Sequence, residues 1–216
     1  MYQPPHHREE RIEVQHALIR SHPLGTLVTF GAGRLAANAI PFILDTSQGH
    51  FGTLQAHLAR ANPQWRDFDP AVEALVVFQG VETYITPSWY ATKRETGKVV
   101  PTWNYVVVQA RGPMRVIEDR DWLRGQIALL TALKEAGRPS PWAVTDAPGE
   151  FVEGQLKGIV GIEIPIASIE GKWKVSQNRP EADRRGVVDG LRELGGPADL
   201  SMAELVAERG PPLPSR

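Results

Sequence analysis

Two stretches of this chain concentrate residues suited to chemistry. In the first, His57 and Arg60 lie three apart just ahead of Asn62-Pro63. The apolar run Phe51 to Leu54 reads as the end of a buried strand, with Thr53 capping helical turns that Pro63 ends. On a helix, that spacing puts His57 and Arg60 on one face of the first turn. A helix start presents unpaired N–H groups and partial positive charge, so an arginine and a histidine beside it suit a phosphate-sized anion. The same spacing also describes a surface helix with a solvated arginine and a packed histidine, and a short motif does not separate the two. The second stretch, Lys172 to Arg179, reads KWKVSQNR and is dense in hydrogen-bond donors. Strand alternation places Lys174, Ser176 and Asn178 on one face, next to Gln177, while Lys172 and Arg179 read as a solvated strand end.

Trp103-Asn104-Tyr105 opens another strand, where neighbours point to opposite faces. A barrel core uses such aromatics, and so does the flat wall of a planar ligand that needs a few donors at its edge.

The elements that must position these residues follow from periodicity. Residues 9–22 form an amphipathic helix with Ile12, Ala17, Leu18 and Ile19 near one stripe and His16 and His22 on its surface, ended by Pro23. Leu24 to Phe30 and Arg34 to Leu44 are strands joined at Gly31-Ala32-Gly33, whose glycines supply the positive φ of a tight hairpin. Ala71 to Phe78, Thr83 to Thr86 and Pro101 to Ile117 are further β segments. Residues 87–101 make a polar excursion between them, where Ser88, Trp89 and Tyr90 are placed to cover a ligand or an interface. Residues 118–137 read as a helix with Trp122, Ile127, Leu130 and Leu133 at core spacing, and Pro148 to Lys157 as a second. Ile159 to Ile169 alternates as a strand that Gly171 turns into KWKVSQNR. Glu181 to Glu208 gives two helices split at Gly195-Gly196, the second capped by Ser201. The expected organisation is a main domain over 1–180, a helical extension over 181–209 and a disordered tail over 210–216. The fold class is α+β: a mostly antiparallel β-barrel with flanking helices.

Composition removes several function classes. The 216 residues are 42% hydrophobic, carry a net charge of −1 at pI near 6.6 and include no cysteine. Disulfides, thiolate metal sites and cysteine nucleophiles are therefore excluded, and no global charge favours nucleic acid or anionic membrane. All six histidines fall within the first 57 positions without HExxH-type spacing, so no metal site is expected. There is no GxSxG elbow, P-loop or paired-carboxylate spacing. No apolar run reaches membrane-spanning length, and the expected location is cytoplasmic. The last two helices have a helix-turn-helix outline with Arg184, Arg185 and Arg192 on the first. The second carries Glu204, Glu208 and only Arg209, a poor charge pattern for a DNA groove, so packing or dimer bracing is the expected role.

Four motifs in order, HLARANPQW (57–65), TYITPSWY (83–90), VPTWNYVVVQARG (100–112) and KWKVSQNR (172–179), resemble the PaiB-type family of FMN-binding negative transcriptional regulators. The resemblance runs from Met1 to about Asp189. One departure is His7, where such proteins usually carry an aromatic residue. The resemblance implies an FMN-binding split barrel, a homodimer with non-covalent FMN at the subunit interface, and possible DNA binding that the charge does not support. It turns the candidate residues into a cofactor set: His57 and Arg60 with Asn62 for the phosphate, and Trp103, Asn104, Tyr105, Lys174, Ser176, Gln177 and Asn178 for the flavin. Three functions follow as expectations: a redox- or metabolite-sensing regulator, an FMN-dependent oxidoreductase of the flavin-reductase or pyridoxamine-phosphate-oxidase kind, and a haem-handling protein. Whether the protein is an enzyme stays open at this level.

Overall fold

The computed structural model describes residues 1–210, so all of the expected tail except Gly210 lies outside the described residues. Its strands are β1 (Arg8–Glu9), β2 (Leu24–Gly31), β3 (Arg34–Pro41), β4 (Ile43–Asp45), β5 (Thr53–Ala59), β6 (Ala74–Ile85), β7 (Thr102–Gly112), β8 (Arg115–Ile117), β9 (Ile159–Pro165) and β10 (Ser168–Lys174). Its α-helices are α1 (Ile12–Ser21), α2 (Gln64–Asp67), α3 (Ala91–Thr96), α4 (Arg120–Glu135), α5 (Gly149–Lys157), α6 (Glu181–Leu194) and α7 (Pro197–Glu208). These residues form two units, the first from Met1–Leu18, Gln79–Val108 and Glu170 onward, the second from Ile19–Phe78 and Gln109–Ile169.

In the second unit the expected hairpin is present. β2 and β3 pair antiparallel with Gly31 opposite Arg34. Between them Ala32 and Gly33 have φ of 49° and 73°, the two positive values that a two-residue turn needs to match strand twist. Gly31 also answers to close packing, because a Cβ there would lie 1.7 Å from the Asp67 carbonyl oxygen. β2 pairs on its other side with the start of β6, Thr26 opposite Val77. A four-stranded antiparallel sheet runs in the order β4-β5-β9-β8. Its core is Leu54, Ala56, Leu58, Ile162 and Ile164, all at most 2% exposed.

The helix expected to begin at Thr53 is absent: Thr53–Ala59 is strand β5, paired with β4 and β9. Leu54, Ala56 and Leu58 point inward while Gln55 and His57 are half-buried, the two-residue alternation of a strand with one face on a core. Helix α2 instead starts after Pro63 and spans four residues. Helix α4 falls where expected, capped by the Asp119 carboxylate, which accepts from Trp122 N at 2.7 Å. Leu123 is buried and Trp122 and Ile127 pack beside it, but Leu133 is 54% exposed and Leu130 half-buried, so the apolar stripe is only partly used.

In the first unit the strand order is β1-β10-β7-β6. Gly171 does not turn the chain: it sits inside β10, opposite Glu9 of β1. Helix α1 buries Leu18 along its predicted stripe. His16 is also buried, against expectation, and Ala17 is exposed, because the contact face is rotated toward Gln15 and His16. Helices α6 and α7 meet at Val187, Leu191, Met202 and Val206, each 0% exposed. Ser201 lies inside α7, whose N-cap is Gly196. Arg184 is fully buried and donates from Nη2 to the carbonyls of Val206 and Ala207 at 3.1 and 3.5 Å. It stabilises the C-terminal end of α7 and has no surface to offer DNA; burial holds its guanidinium below its usual range.

Candidate functional site

The candidate residues divide between the two units. In the second, β5 carries His57, whose Nδ1 is 2.8 Å from Gln126 Oε1 on α4. Arg60 follows the strand and holds its end to β9: its backbone N donates to Gly158 O at 2.8 Å. Its guanidinium donates to Ile159 O at 3.1 Å, Lys157 O at 3.2 Å and the Glu118 carboxylate at 2.7 Å. The two side chains therefore do not share a helix face, and the helix-start field invoked for a phosphate is absent. Two of the Arg60 donors go to backbone carbonyls and one to a carboxylate, Glu118, whose side chain is 60% exposed. Asn62 Oδ1 accepts from Gln64 N at 3.0 Å, closing the turn into α2. Buried Gln64 was not singled out by sequence reasoning. It accepts from Asn38 Nδ2 at 2.8 Å and donates to Leu27 O and Thr29 Oγ1 at 3.1 and 3.2 Å. A cavity of about 210 Å³ lies over it, lined by Thr29, Asn38, Asn62 and neighbours.

In the first unit the ends of β7 and β10 bring several candidates together around a cavity of about 110 Å³ lined by His7, Thr102, Asn104, Lys174, Ser176, Asn178 and Arg179. Alternation along β7 buries Asn104 and leaves Trp103 46% exposed. Asn104 Nδ2 donates to Ser176 Oγ at 2.9 Å. Ser176 holds a left-handed φ of 62°, a conformation that costs a β-carbon residue about 1–3 kcal/mol and persists where surroundings fix it. Here Asn104 does so. Lys174 Nζ donates to Thr102 Oγ1 at 2.5 Å and Trp103 O at 2.9 Å. Burial, with Lys172 and Arg179 adding repulsion, lowers its pKa.

Lys172 and Arg179, expected in solvent, are not there. Lys172 is 8% exposed, with Nζ 5.3 Å from the Tyr105 ring and 5.5 Å from the Tyr2 ring. The Arg179 guanidinium lies 4.7 Å over Tyr90. Among the described residues Lys172, Lys174 and Arg179 make no salt bridge. Gln177 is committed to the backbone, accepting from Val175 N at 2.8 Å and donating to Trp173 O at 2.5 Å. Trp103 Nε1 donates to Glu82. Of the excursion residues, Tyr90 is fully buried, and Trp89 is half-buried against α6, where a Cβ on Gly190 would lie 2.3 Å from its indole.

His7 completes this pocket and had drawn attention only as a departure from a family pattern. It is 5% exposed, and its Nδ1 has no hydrogen-bond partner. Burial, then His6, Lys172 and Lys174, push its pKa down to about 4, against a bond to Gln177 that raises it. The ring is therefore neutral at neutral pH.

Fold and site together describe a flavin-type split barrel of the α+β class, and solved structures agree on that fold. A conserved hypothetical protein from Mycobacterium tuberculosis superposes with a TM-score of 0.58 at 12% identity, over 83% of this chain and 94% of that one. The flavocytochrome Anf3 from Azotobacter vinelandii gives 0.56 at 12% identity over 77% and 68%. The FAD and heme binding protein from Mycobacterium smegmatis gives 0.55 at 18% identity over 77% and 73%. In sequence, residues 1–168 match the family model described as "Putative FMN-binding domain". The chain is 32% identical over 209 residues to the protease synthase and sporulation protein PAI 2 of Bacillus subtilis strain 168, covering 97% of this chain and 98% of that protein. It is 39% identical over 245 residues to an uncharacterised Emericella nidulans protein, with the same coverage. The chain belongs to the FMN-binding domain family, and FMN is the cofactor this membership assigns.

The residues present suit that cofactor. FMN needs cationic donors for its phosphate, and aromatic faces and neutral donors for its ring system. The unpaired charges of Lys174 and Arg179, the amides of Asn104 and Asn178 and the faces of Trp103 and Tyr105 supply both kinds within one unit. Arg60 supplies a cation in the other.

Proposed function

We propose that the protein is a homodimeric FMN-binding flavoprotein that senses redox state or a metabolite and thereby affects transcription. The observation that carries the ligand-binding part is the first-unit pocket, where cations without carboxylate partners converge on buried neutral donors. Arg60 with His57 and Asn62 is assigned to the phosphate on its donor chemistry. Trp103, Asn104, Tyr105, Lys174, Ser176, Gln177 and Asn178 are assigned to the flavin on theirs, with Gln177 acting through the backbone it braces. When bound, FMN supplies one- or two-electron chemistry; these side chains bind, orient and neutralise charge. Support for the regulatory part comes from the similarity to the Bacillus subtilis sporulation protein.

A second copy is the proposed partner. Leu129, Leu133, Trp142 and Phe151 of the second unit are 48–58% exposed, apolar surface that a second copy would cover. A cytoplasmic location belongs to the same proposal. No helix among the described residues is long and apolar enough to cross a membrane. DNA reading by the isolated chain is not part of it, because Arg184 is buried.

The visible absorption spectrum of the purified protein tests the cofactor: flavin bands support the proposal, and a Soret band would replace it with the haem alternative. Anaerobic mixing with NADH or NADPH then tests the role. Slow or no bleaching supports a sensor, whereas rapid catalytic reduction makes the protein an FMN-dependent oxidoreductase.

A further inference from the structure

We propose that the pocket formed by His7, Asn104, Lys174, Ser176 and Arg179 is an oxyanion site that takes the phosphate or carboxylate group of a ligand. The inference deepens the flavin assignment of the same residues but can fail without it. The first reason is size. A cavity of about 110 Å³ matches a phosphate or carboxylate group in size. The second is charge. Lys174 spends two of its three N–H bonds on neutral oxygens, those of Thr102 and Trp103. Arg179 is held over the Tyr90 ring. Neither makes a salt bridge among the described residues, and Lys172 stands close by in the same condition. Partly buried cations normally carry a counter-charge, because desolvation without one is unfavourable.

The third reason is the floor of the pocket. Asn104 is 1% and Ser176 4% exposed, locked to one another at 2.9 Å. That pair sets the strained turn that carries Asn178 and Arg179 past the cavity. His7 offers a buried ring nitrogen without a partner at the cavity wall. An anion beside the ring would favour its protonated form, which turns that nitrogen into a donor. Lys174 and Arg179 attract the oxyanion, and Asn104, Ser176 and His7 shape its seat. Two sources share this chemistry: the phosphate of FMN itself, or a free small anion such as a metabolite carboxylate or phosphate.

The test is calorimetric titration of full-length, flavin-free protein with inorganic phosphate and with acetate, in a non-coordinating buffer. At least one anion is expected to bind the parent, and roughly tenfold or more weaker to Lys174→Met and to Arg179→Gln, with melting curves confirming that each variant is folded. NMR supplies a direct readout. The imidazole resonance missing from His7→Phe should shift in the parent as the binding anion is added. Repeating the titration on FMN-loaded protein separates the sources: unchanged binding identifies a free anion, and lost binding identifies the phosphate of FMN. No heat from either anion at tens of millimolar with an unmoved His7 signal overturns the proposal, and so does parent-like binding by a folded Lys174→Met. A protein that binds FMN while failing these tests keeps its flavin and loses this pocket.

Discussion

Replacing Arg60 by alanine separates a cofactor role from a structural one. The guanidinium ties the end of β5 to the start of β9 through the Lys157 and Ile159 carbonyls and pairs with Glu118. The Glu118 pair is a surface salt bridge, with side chains 38% and 60% exposed, and contributes about 0–1 kcal/mol. Each carbonyl bond from a charged but partly solvated donor contributes about 1 kcal/mol. Arg60→Ala should therefore destabilise the fold by about 2–3 kcal/mol, lowering Tm by roughly 5–10 °C for a chain of this size. If Arg60 also holds the phosphate of FMN, losing a charge-assisted bond weakens FMN binding about tenfold and leaves riboflavin binding nearly unchanged. Glu118→Gln is the informative partner. It removes a competitor for the same guanidinium, so FMN should bind up to about fivefold tighter while Tm moves little. The assays are thermal melts and fluorescence titration of both flavins. FMN affinity unmoved by either substitution, with Tm lowered by Arg60→Ala, would make Arg60 a strand clamp and refute its cofactor role.

Stability should fall in acid for two separable reasons. His7 stays neutral when folded, its pKa lowered from 6.5 to about 4, so the unfolded chain takes up the proton first and stability declines as pH drops from about 6.5 to 4. Glu9 lies near 2 instead of 4.5, because bonds to Arg11 and Arg209 outweigh the raising effect of burial, and its contribution is lost below about pH 4.5. Each spans at most about 3.4 kcal/mol, and urea melts of His7→Phe should remove the upper step alone; retention of that step would exclude His7 as its origin. Gly31→Ala should cost more than about 2 kcal/mol, since its Cβ would collide with the Asp67 carbonyl, and parent-like melting would contradict that packing. Light scattering should give a mass near twice 23.8 kDa, and a stable monomer that holds FMN would contradict the dimer. No promoter footprint is expected at nanomolar protein and physiological salt, given a net charge of −1 and a buried Arg184; a footprint would revive the helix-turn-helix role.

Periodicity made much of this fold legible. The Gly31-Ala32-Gly33 hairpin, helices α1, α4 and α5, and the long strand β7 all follow from turn chemistry and apolar spacing, whereas the two segments expected over Ala71–Phe78 and Thr83–Thr86 are one strand, β6, running through Gly80. The His50–Trp65 segment did not, because Leu54 and Leu58 satisfy a helical repeat and a strand repeat equally well. Ala56 between them, with Gln55 and His57 alternating, held the strand signal, and pairing with β4 and β9 decided it. Tertiary contact alone explains the rest. Nothing local marks Arg184 as the clamp on α7, Lys172 as a lysine covered by tyrosines, or Gly171 as a strand residue instead of a turn. The donor-rich KWKVSQNR segment was legible as a candidate site. His7 was not: its place in the pocket depends on residues more than ninety positions away.

The central claim is FMN binding through an anion-recognising site, and flavin titration of the purified full-length protein addresses it most directly. Flavin-free protein should quench FMN fluorescence saturably at one FMN per chain and bind riboflavin at least tenfold more weakly, the difference being the phosphate. Equal affinities would show that no phosphate contact contributes, and no quenching of either flavin would contradict the account as a whole.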